Sequence, residues 1–327
     1  MTELTKRRTT AMKIATLEAL AERLKDLRNV TILTHAHPDG DTIGAGFGLC
    51  YYLRSVGVKA NVKNSDGFPQ KFEFLFENYK PQEFEEECVV SVDVADVQLL
   101  GAELEHYADR IDLCIDHHVS NKMVARDIYV DGDASATCLI IFELLKVMGA
   151  KIDKLTASCL YTGIATDTGC FMFQNTTPAA HRAAADLKEL GVDATFINRR
   201  MFQVKSSGRI FAEQKVISAM RFANDGQIAL IAITNDLINK FNVDRADLDG
   251  FAGIPLSVDG VKIGITLKQQ PEDESLFKVS IRTVDADASA IAERFGGGGH
   301  IRAAGCTVLG MVDEVAEKVI SAAAEYL

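Results

Sequence analysis

Four separated stretches of this sequence place histidine and aspartate where an apolar run ends. Thr34-His35-Ala36-His37-Pro38-Asp39-Gly40-Asp41 sets His35, Asp39 and Asp41 within seven residues, directly after the apolar run 29–33. Asp93 ends the run Cys88-Val89-Val90-Ser91-Val92, and Asp116-His117-His118 follows the run 111–115. Asp167 closes a segment of small and apolar residues, Thr162-Gly163-Ile164-Ala165-Thr166. Imidazole and carboxylate together suit divalent cations of hard to borderline character, manganese among them. Carboxylates directed at one point repel unless a cation lies between them. Each stretch also has an ordinary structural reading: Asp41 as a helix cap, the triplet as a polar turn, and Asp167 as a solvated helix end with Gly169 as its terminal glycine. Against the last, a helix dipole disfavours a carboxylate at its C-terminus, so Asp167 needs a compensating charge. Asp93 is the candidate to be shared by two ions. Asp116 is the candidate to orient an imidazole through its second ring nitrogen.

The elements that must position these groups follow from periodicity. A helix is expected around residues 12–27, then a strand at 29–33, a helix at 42–56, and strands at 58–62, 88–92 and 111–115, with helices at 135–148 and 154–165. Gly40 and Gly44 are expected to permit tight turns beside the stiff Pro38. Short, continuously apolar strands alternating with helices predict an α/β fold: an N-terminal, largely parallel sheet flanked by helices. The polar groups all follow strands or end a helix, and the ends of parallel strands on that side form the binding crevice of such sheets. Residues 178–219 read as helical. Strands at 228–233, 261–267 and 277–283, a helix at 288–295, a short strand near Cys306 and a helix at 312–326 predict a smaller C-terminal α/β domain. The expected division is a metal-binding catalytic domain over 1–185, a helical linker region over 186–219 and a substrate-binding domain over 220–327.

The C-terminal domain carries Phe295-Gly296-Gly297-Gly298-Gly299-His300-Ile301-Arg302. Consecutive glycines cost backbone entropy, which is compensated where a close approach excludes side chains. Gly297, Gly298, Gly299, His300 and Arg302 are therefore candidates to cradle a phosphate or terminal nucleotide, with a flexible loop as the plain alternative. Arg282, at a strand end, is a further phosphate-contact candidate, with an exposed edge charge as the equal alternative, and Lys205, Ser206, Ser207 and Arg209 resemble a phosphate-contacting segment between domains, with a polar linker as the alternative.

The 327-residue chain is 47% hydrophobic, enough for a substantial core, and its formal charge of -11 disfavours broad coating of long duplex nucleic acid. A short anionic ligand in a locally positive pocket remains compatible. The seven cysteines include no C-x-x-C spacing and read as small core residues in a reducing compartment. No apolar stretch approaches the ~20 residues that span a bilayer, and the N-terminus has no apolar signal core. The expected location is cytoplasmic, with no membrane partner.

Taken together, His35-Ala36-His37-Pro38-Asp39-Gly40-Asp41, Ser91-Val92-Asp93, Asp116-His117-His118 and Gly163-Ile164-Ala165-Thr166-Asp167-Thr168-Gly169 resemble the motif set of the DHH phosphoesterase family. The glycine-histidine run resembles the substrate-binding motif of its two-domain members. The resemblance runs from residue 35 to 305. It implies two divalent metal ions, most commonly manganese, one held by His35, Asp39 and Asp93 and the other by Asp41, Asp93, His117 and Asp167. It further implies that His118 contacts the scissile phosphate and assists the leaving oxygen, and that Arg282 matches a family arginine. The implied activity is hydrolysis of short oligoribonucleotides to mononucleotides, with removal of phosphate from 3'-phosphoadenosine 5'-phosphate, by a homodimer. Cleavage of linear or cyclic dinucleotides and noncatalytic nucleotide binding are the alternatives.

Overall fold

The computed structural model describes residues 12–327. Chain contacts divide it into one compact unit ending at Val204 and a second from Lys205 to Leu327.

In the first unit the strands are β1 (Met12–Lys13), β2 (Val30–Leu33), β3 (Ala60–Lys63), β4 (Cys88–Val92), β5 (Leu113–Asp116) and β6 (Asp127–Val130). They form one sheet in the order β1-β6-β5-β4-β2-β3, parallel at every pairing. The helices are α1 (Leu17–Lys25), α2 (Gly40–Ser55), α3 (Thr137–Val147), α4 (Lys154–Asp167), α5 (Pro178–Glu189) and α6 (Ala194–Asn198). The expected helix over 12–27 is thus shorter. Met12 and Lys13 instead pair with Asp127 and Ile128 at the sheet edge, and Thr16 caps α1 by accepting from the Ala19 N–H. The chain runs from β2 through α2 to the edge strand β3 and returns to β4 on the other side of β2. This reversal between β2 and β4 opens the crevice in which open α/β sheets bind ligands.

Helix α2 is buried along nearly its whole length, including Ile43, Phe47, Leu49 and Leu53. Its glycines do not make turns: they fall inside the helix and let it approach α4. A Cβ on Gly40 would lie 2.2 Å from Thr166 Oγ1, and one on Gly44 would lie 2.4 Å from the Cys159 carbonyl oxygen. Gly163 on α4 answers them, since a Cβ there would lie 2.7 Å from Asp41 Oδ1. Small residues on both helices therefore bring the start of α2, with Asp41, against the last turn of α4, with Asp167. All seven cysteines are free, and five of them are buried.

The second unit contains α7 (Ser207–Ser218), β7 (Arg221–Ala223), β8 (Ile228–Ile233), α8 (Asn235–Phe241), β9 (Ile263–Gln269), β10 (Leu276–Thr283), α9 (Ala288–Glu293), β11 (Gly298–His300), β12 (Ala303–Leu309) and α10 (Val312–Ala324). Its sheet order is β11-β12-β10-β9-β8-β7, with β8 and β9 parallel and the other neighbours antiparallel. Alternation along β10 buries Phe277, Val279 and Ile281 against α9 and α10 and turns Lys278, Ser280 and Arg282 to the opposite face. A second apolar cluster, including Ile231, Ile233, Ala212, Val216 and Phe251, covers the other face at β8.

Candidate metal centre

The carboxyl ends of three neighbouring strands deliver most of the site. His35 lies two residues beyond β2, Asp93 directly follows β4, and Asp116 is the last residue of β5 with His117 and His118 behind it. Asp93 has a φ of 58°, a left-handed conformation that aspartate tolerates better than most side chains. Asp39 is the N-cap of α2, accepting from the Asp41 and Thr42 N–H groups. Asp167 is the last residue of α4.

These residues assemble into groups whose donor atoms lie within 4.8 Å of one another: His35 with Asp39 and Asp93, Asp41 with His117 and Asp167, and Asp93 with His117 and His118. His35 Nε2 stands 3.7 Å from Asp39 Oδ1 and 3.6 Å from Asp93 Oδ2. His117 Nε2 stands 3.7 Å from Asp93 Oδ1 and 3.6 Å from Asp167 Oδ2. Those spacings exceed a hydrogen bond. They match donors that each lie ~2.1 Å from one ion and open on it at a wide angle, which leaves them ~3–4 Å apart. Asp93 presents one oxygen to each side and so links the two groups. The donor set fits a pair of divalent cations.

Second ring nitrogens fix which imidazole edge is available. His35 Nδ1 donates to the Ala36 carbonyl at 2.8 Å and His117 Nδ1 to the Ala134 carbonyl at 3.3 Å, leaving Nε2 of each as the donor toward the carboxylates. His118 is held differently. Its Nδ1 is 2.8 Å from Asp116 Oδ1, which removes that nitrogen from the ligand set despite its place in the third group, and its side chain is 44% exposed where those of His35 and His117 are 17% and 14%. Asp116 therefore orients His118 and not the donor His117. Asp116 is fully buried and also accepts from the His117 N–H and from Asn121 Nδ2 at 2.6 Å.

Electrostatics show how the groups crowd one another. Burial and then the Asp93, Asp167 and Asp39 carboxylates push Asp41 well above the ordinary carboxylate range. Burial also lifts Asp167 to about 6, opposed by His117 and reinforced by Asp93 and Asp39. Burial disfavours charge on His35, yet Asp39 and Asp93 outweigh it and raise that imidazole to about 11. The bond to Asp116 raises His118 to about 9 against the effect of burial. Carboxylates this close hold protons or share cations.

Several supporting residues were not singled out from the sequence. Asp41 accepts from the Thr137 N–H at 2.6 Å and the Cys138 N–H at 2.9 Å, so it caps α3, whose own N-cap Ala136 supplies no side-chain bond. Asp41 does not cap the helix that follows it, as its ordinary reading expected: Asp39 caps α2, and Asp41, inside α2, caps α3 while standing in the donor cluster. Thr137 Oγ1 donates to Asp93 Oδ1 at 3.0 Å, and Asn64 Nδ2 donates to the His35 carbonyl at 2.6 Å. Asn121, three residues past His118, carried a weak sequence signal; Thr137 and Asn64 carried none, because only the fold brings them near. His37 points away, with its side chain 95% exposed and paired to Asp66.

In the second unit the end of the glycine run, Gly298 and Gly299, enters the edge strand β11, after a turn at Gly296. A Cβ on Gly297 would sit 2.2 Å from the Gly305 carbonyl oxygen, and one on Gly299, whose φ is +151°, would sit 2.6 Å from that of Ala303. Gly298 pairs with Gly305 and His300 with Ala303, while Ala303 pairs in turn with Arg282 and Gly305 with Ser280. Directly paired residues share a face. Arg282 and His300 therefore flank a floor of Ala303, Gly305 and Gly298, on the face opposite α9 and α10. Ile301 and Arg302 make the hairpin turn, and Arg302 Nη1 donates to the Ala286 carbonyl at 3.1 Å. Lys205 and Arg209 are both engaged by Glu213, at 2.7 and 3.0 Å.

A parallel sheet whose strand ends gather histidines and aspartates, followed by a unit with a glycine-histidine edge strand, defines a two-domain phosphoesterase architecture, and the chain belongs to the DHH family. The model of the DHH family, N-terminal domain, matches residues 29–164, and that of the DHHA1 domain matches residues 225–327. The chain is 32% identical to the bifunctional oligoribonuclease and PAP phosphatase NrnA of Thermus thermophilus, across 95% of this chain and 94% of that one. It is 25% identical to the protein of the same name from Bacillus subtilis, across 85% and 89% of the two chains. Among solved structures, an exopolyphosphatase-related protein from Bacteroides fragilis superposes with a TM-score of 0.84 at 26% identity, covering 95% of this chain and 96% of that one.

Proposed function

We propose that the protein hydrolyses short oligoribonucleotides to mononucleotides and removes the 3'-phosphate of 3'-phosphoadenosine 5'-phosphate, using two divalent ions, most commonly manganese, in the cytoplasm and as a homodimer. The observation that carries the reading is the linkage of the two donor groups through Asp93, in a chain alike over nearly its full length to oligoribonuclease and PAP phosphatase relatives. When bound, such ions neutralise charge on the phosphoryl oxygens and activate the attacking water.

The chain's own residues do the rest. His35, Asp39 and Asp93 hold one ion, and Asp41, Asp93, His117 and Asp167 the other. Asp116 locks His118 through Nδ1, so that its Nε2 meets the scissile phosphate and serves the leaving oxygen. Arg282 and His300, with the small floor between them, take a phosphate or the terminal nucleotide, and Gly297, Gly298, Gly299 and Arg302 shape that seat. A negative net charge agrees with a ligand of few phosphates.

The test is incubation of manganese-loaded protein with RNAs of two to five nucleotides and with 3'-phosphoadenosine 5'-phosphate, following mononucleotide and phosphate release. Verified metal loading without product from any of them removes the assignment. Cleavage of cyclic dinucleotides is the second reading, favoured by 25% identity to the cyclic-di-AMP phosphodiesterase GdpP of Bacillus subtilis, although this chain matches only 49% of that protein. Side-by-side specificity constants rank the two.

A further inference from the structure

Past Asp167 the chain makes an unusual turn. Gly169, Cys170 and Phe171 take φ values of 56°, 57° and 65°, three left-handed residues in succession. The Thr168 carbonyl accepts the N–H groups of both Met172 and Phe173 at 3.0 Å, and Thr168 Oγ1 accepts that of Phe171 at 3.1 Å. Asn175 then ties the turn to the metal centre from the other side. Its Nδ2 donates to the Asp167 carbonyl at 3.1 Å and to that of Ser135 at 3.2 Å, while Ser135 Oγ donates to the Asn175 carbonyl at 2.6 Å. The turn is therefore fastened to a candidate ligand, Asp167, and to the strand-to-helix segment that delivers Thr137 to Asp41 and Asp93.

Its side chains divide in two directions. The ring of Phe171 packs inward, stacked on His181 with centroids 5.3 Å apart and near Tyr161. Met172 and Phe173 are turned out, 77% and 59% exposed, and neither belongs to an apolar core. The Phe173 ring leans on Gly169, where a Cβ would come within 2.5 Å of its carbon atoms, so a side chain at 169 would push the ring away. Single exposed apolar residues are common and need no explanation. Here two adjacent large ones are presented by a turn hydrogen-bonded at its base, the nearer of them five residues past the candidate metal ligand Asp167. A flat apolar group joined to a phosphate is the ligand shape that uses both features, and every nucleobase offers such a face.

We propose that Phe173, with Met172 beside it, is the platform on which a base of the nucleotide stacks while the adjacent phosphate lies at the metal donors, making Phe173 a specificity determinant. The inference rests on the nucleotide reading above. It is tested on the full, manganese-loaded chain with a diadenylate and with two counterparts in which one or the other base is replaced by an abasic tetrahydrofuran sugar. Stacking predicts that F173A raises KM for the diadenylate on the order of tenfold, with kcat little changed. It also predicts that F173A leaves KM unaltered for one abasic counterpart, and that F173W restores the wild-type value. Equal KM for wild type and F173A on the diadenylate overturns the platform. So does an equal loss on all three substrates, or a change of oligomeric state by sedimentation that accounts for it. Wild-type protein that cleaves none of the three rejects the nucleotide reading and this inference with it, an outcome distinct from unchanged F173A kinetics.

Discussion

His300 and Arg282 stand at one register level of the second sheet, separated by the strand that carries Ala303. Neighbouring strands lie ~4.8 Å apart, so the backbones bearing the two side chains are ~10 Å apart with only a methyl group between. The space suits a phosphate or sugar contacted from both sides, and it makes Ala303 as informative as its charged neighbours. Ala303→Leu is expected to raise KM for short RNA at least tenfold while metal content stays at the wild-type level. Arg282→Ala should do the same, and Arg282→Lys should recover little because an ammonium lacks the planar guanidinium fork. Steady-state kinetics paired with metal analysis checks all three, and unchanged KM in Ala303→Leu would show that the floor is not used.

Asp116 and Asn121 form a chain that ends on His118, not on His117. Removing a group that orients a catalytic imidazole costs roughly 10- to 100-fold. Asp116→Asn and Asn121→Ala are therefore expected to lower kcat by that order, and His118→Ala by about 10²- to 10⁴-fold, the range for a lost general acid or base. Bound metal should remain in each. Loss of metal from His118→Ala would move His118 into the ligand set.

What could be read before the fold was known follows the physics of each signal. Continuous apolar runs mark buried parallel strands, so β2, β4 and β5 and the residues that follow them were legible, and with them His35, Asp93 and the triplet at 116–118. Strand β6 was not, because Asp127-Ile128-Tyr129-Val130 is short and its Asp127 is committed to Arg23 far along the chain. Edge pairing by Met12 and Lys13 was hidden for the same reason, since a two-residue strand has no period. The glycine run betrayed a close backbone approach but not that its end would enter an edge strand. Roles that depend on a distant partner, such as Asp41 capping α3, have no local trace at all.

Asp93 offers one oxygen toward His35 and the other toward His117. If it joins two ions, Asp93→Ala should remove both, whereas His35→Ala should spare the group built from Asp41, His117 and Asp167. Titrating manganese into chelator-treated wild type is expected to raise its melting temperature in proportion to binding to the folded state. That rise should vanish in Asp93→Ala and persist in part in His35→Ala. Turnover should fall to background in both. Near-wild-type turnover of Asp93→Ala would show that Asp93 does not hold ions the reaction needs, whereas nucleotide binding with no turnover in wild type would favour binding without catalysis.

The approach of α2 to α4 depends on the absence of side chains at Gly40, Gly44 and Gly163. A methyl group at 44 would lie 2.4 Å from a backbone oxygen, which cannot rotate away. Gly44→Ala should therefore separate the helices and cost about 1–3 kcal/mol, the range for an overpacked core. Because the same helices carry Asp41 and Asp167, manganese affinity should drop along with the urea midpoint. Ala45→Gly, one position along on the same buried helix, provides the control: a helix-propensity loss of about 1 kcal/mol should lower the midpoint with less effect on metal.

Glu213 links to Lys205 and Arg209 through separate oxygens. Burial opposes its ionisation, but the two cations outweigh it and hold the carboxyl below its ordinary value of 4.5. A carboxyl whose value is lower in the folded than in the unfolded chain contributes stability that is complete above the unfolded value and is lost as pH falls through the folded one. Wild type and Glu213→Gln should therefore differ most at neutral pH and converge in acid, as pH falls below 4.5 and through the lower folded value. The difference at neutral pH should stay below about 1 kcal/mol, since solvent screens a pair this near the surface. Urea unfolding from pH 3 to pH 7 measures it, and a gap that widens toward acid would show that Glu213 is not held ionised by these partners. Because Lys205 and Arg209 already have this carboxylate, Glu213→Gln also tests whether they bind phosphate in its place: release of the two cations should tighten nucleotide binding only if they reach the ligand.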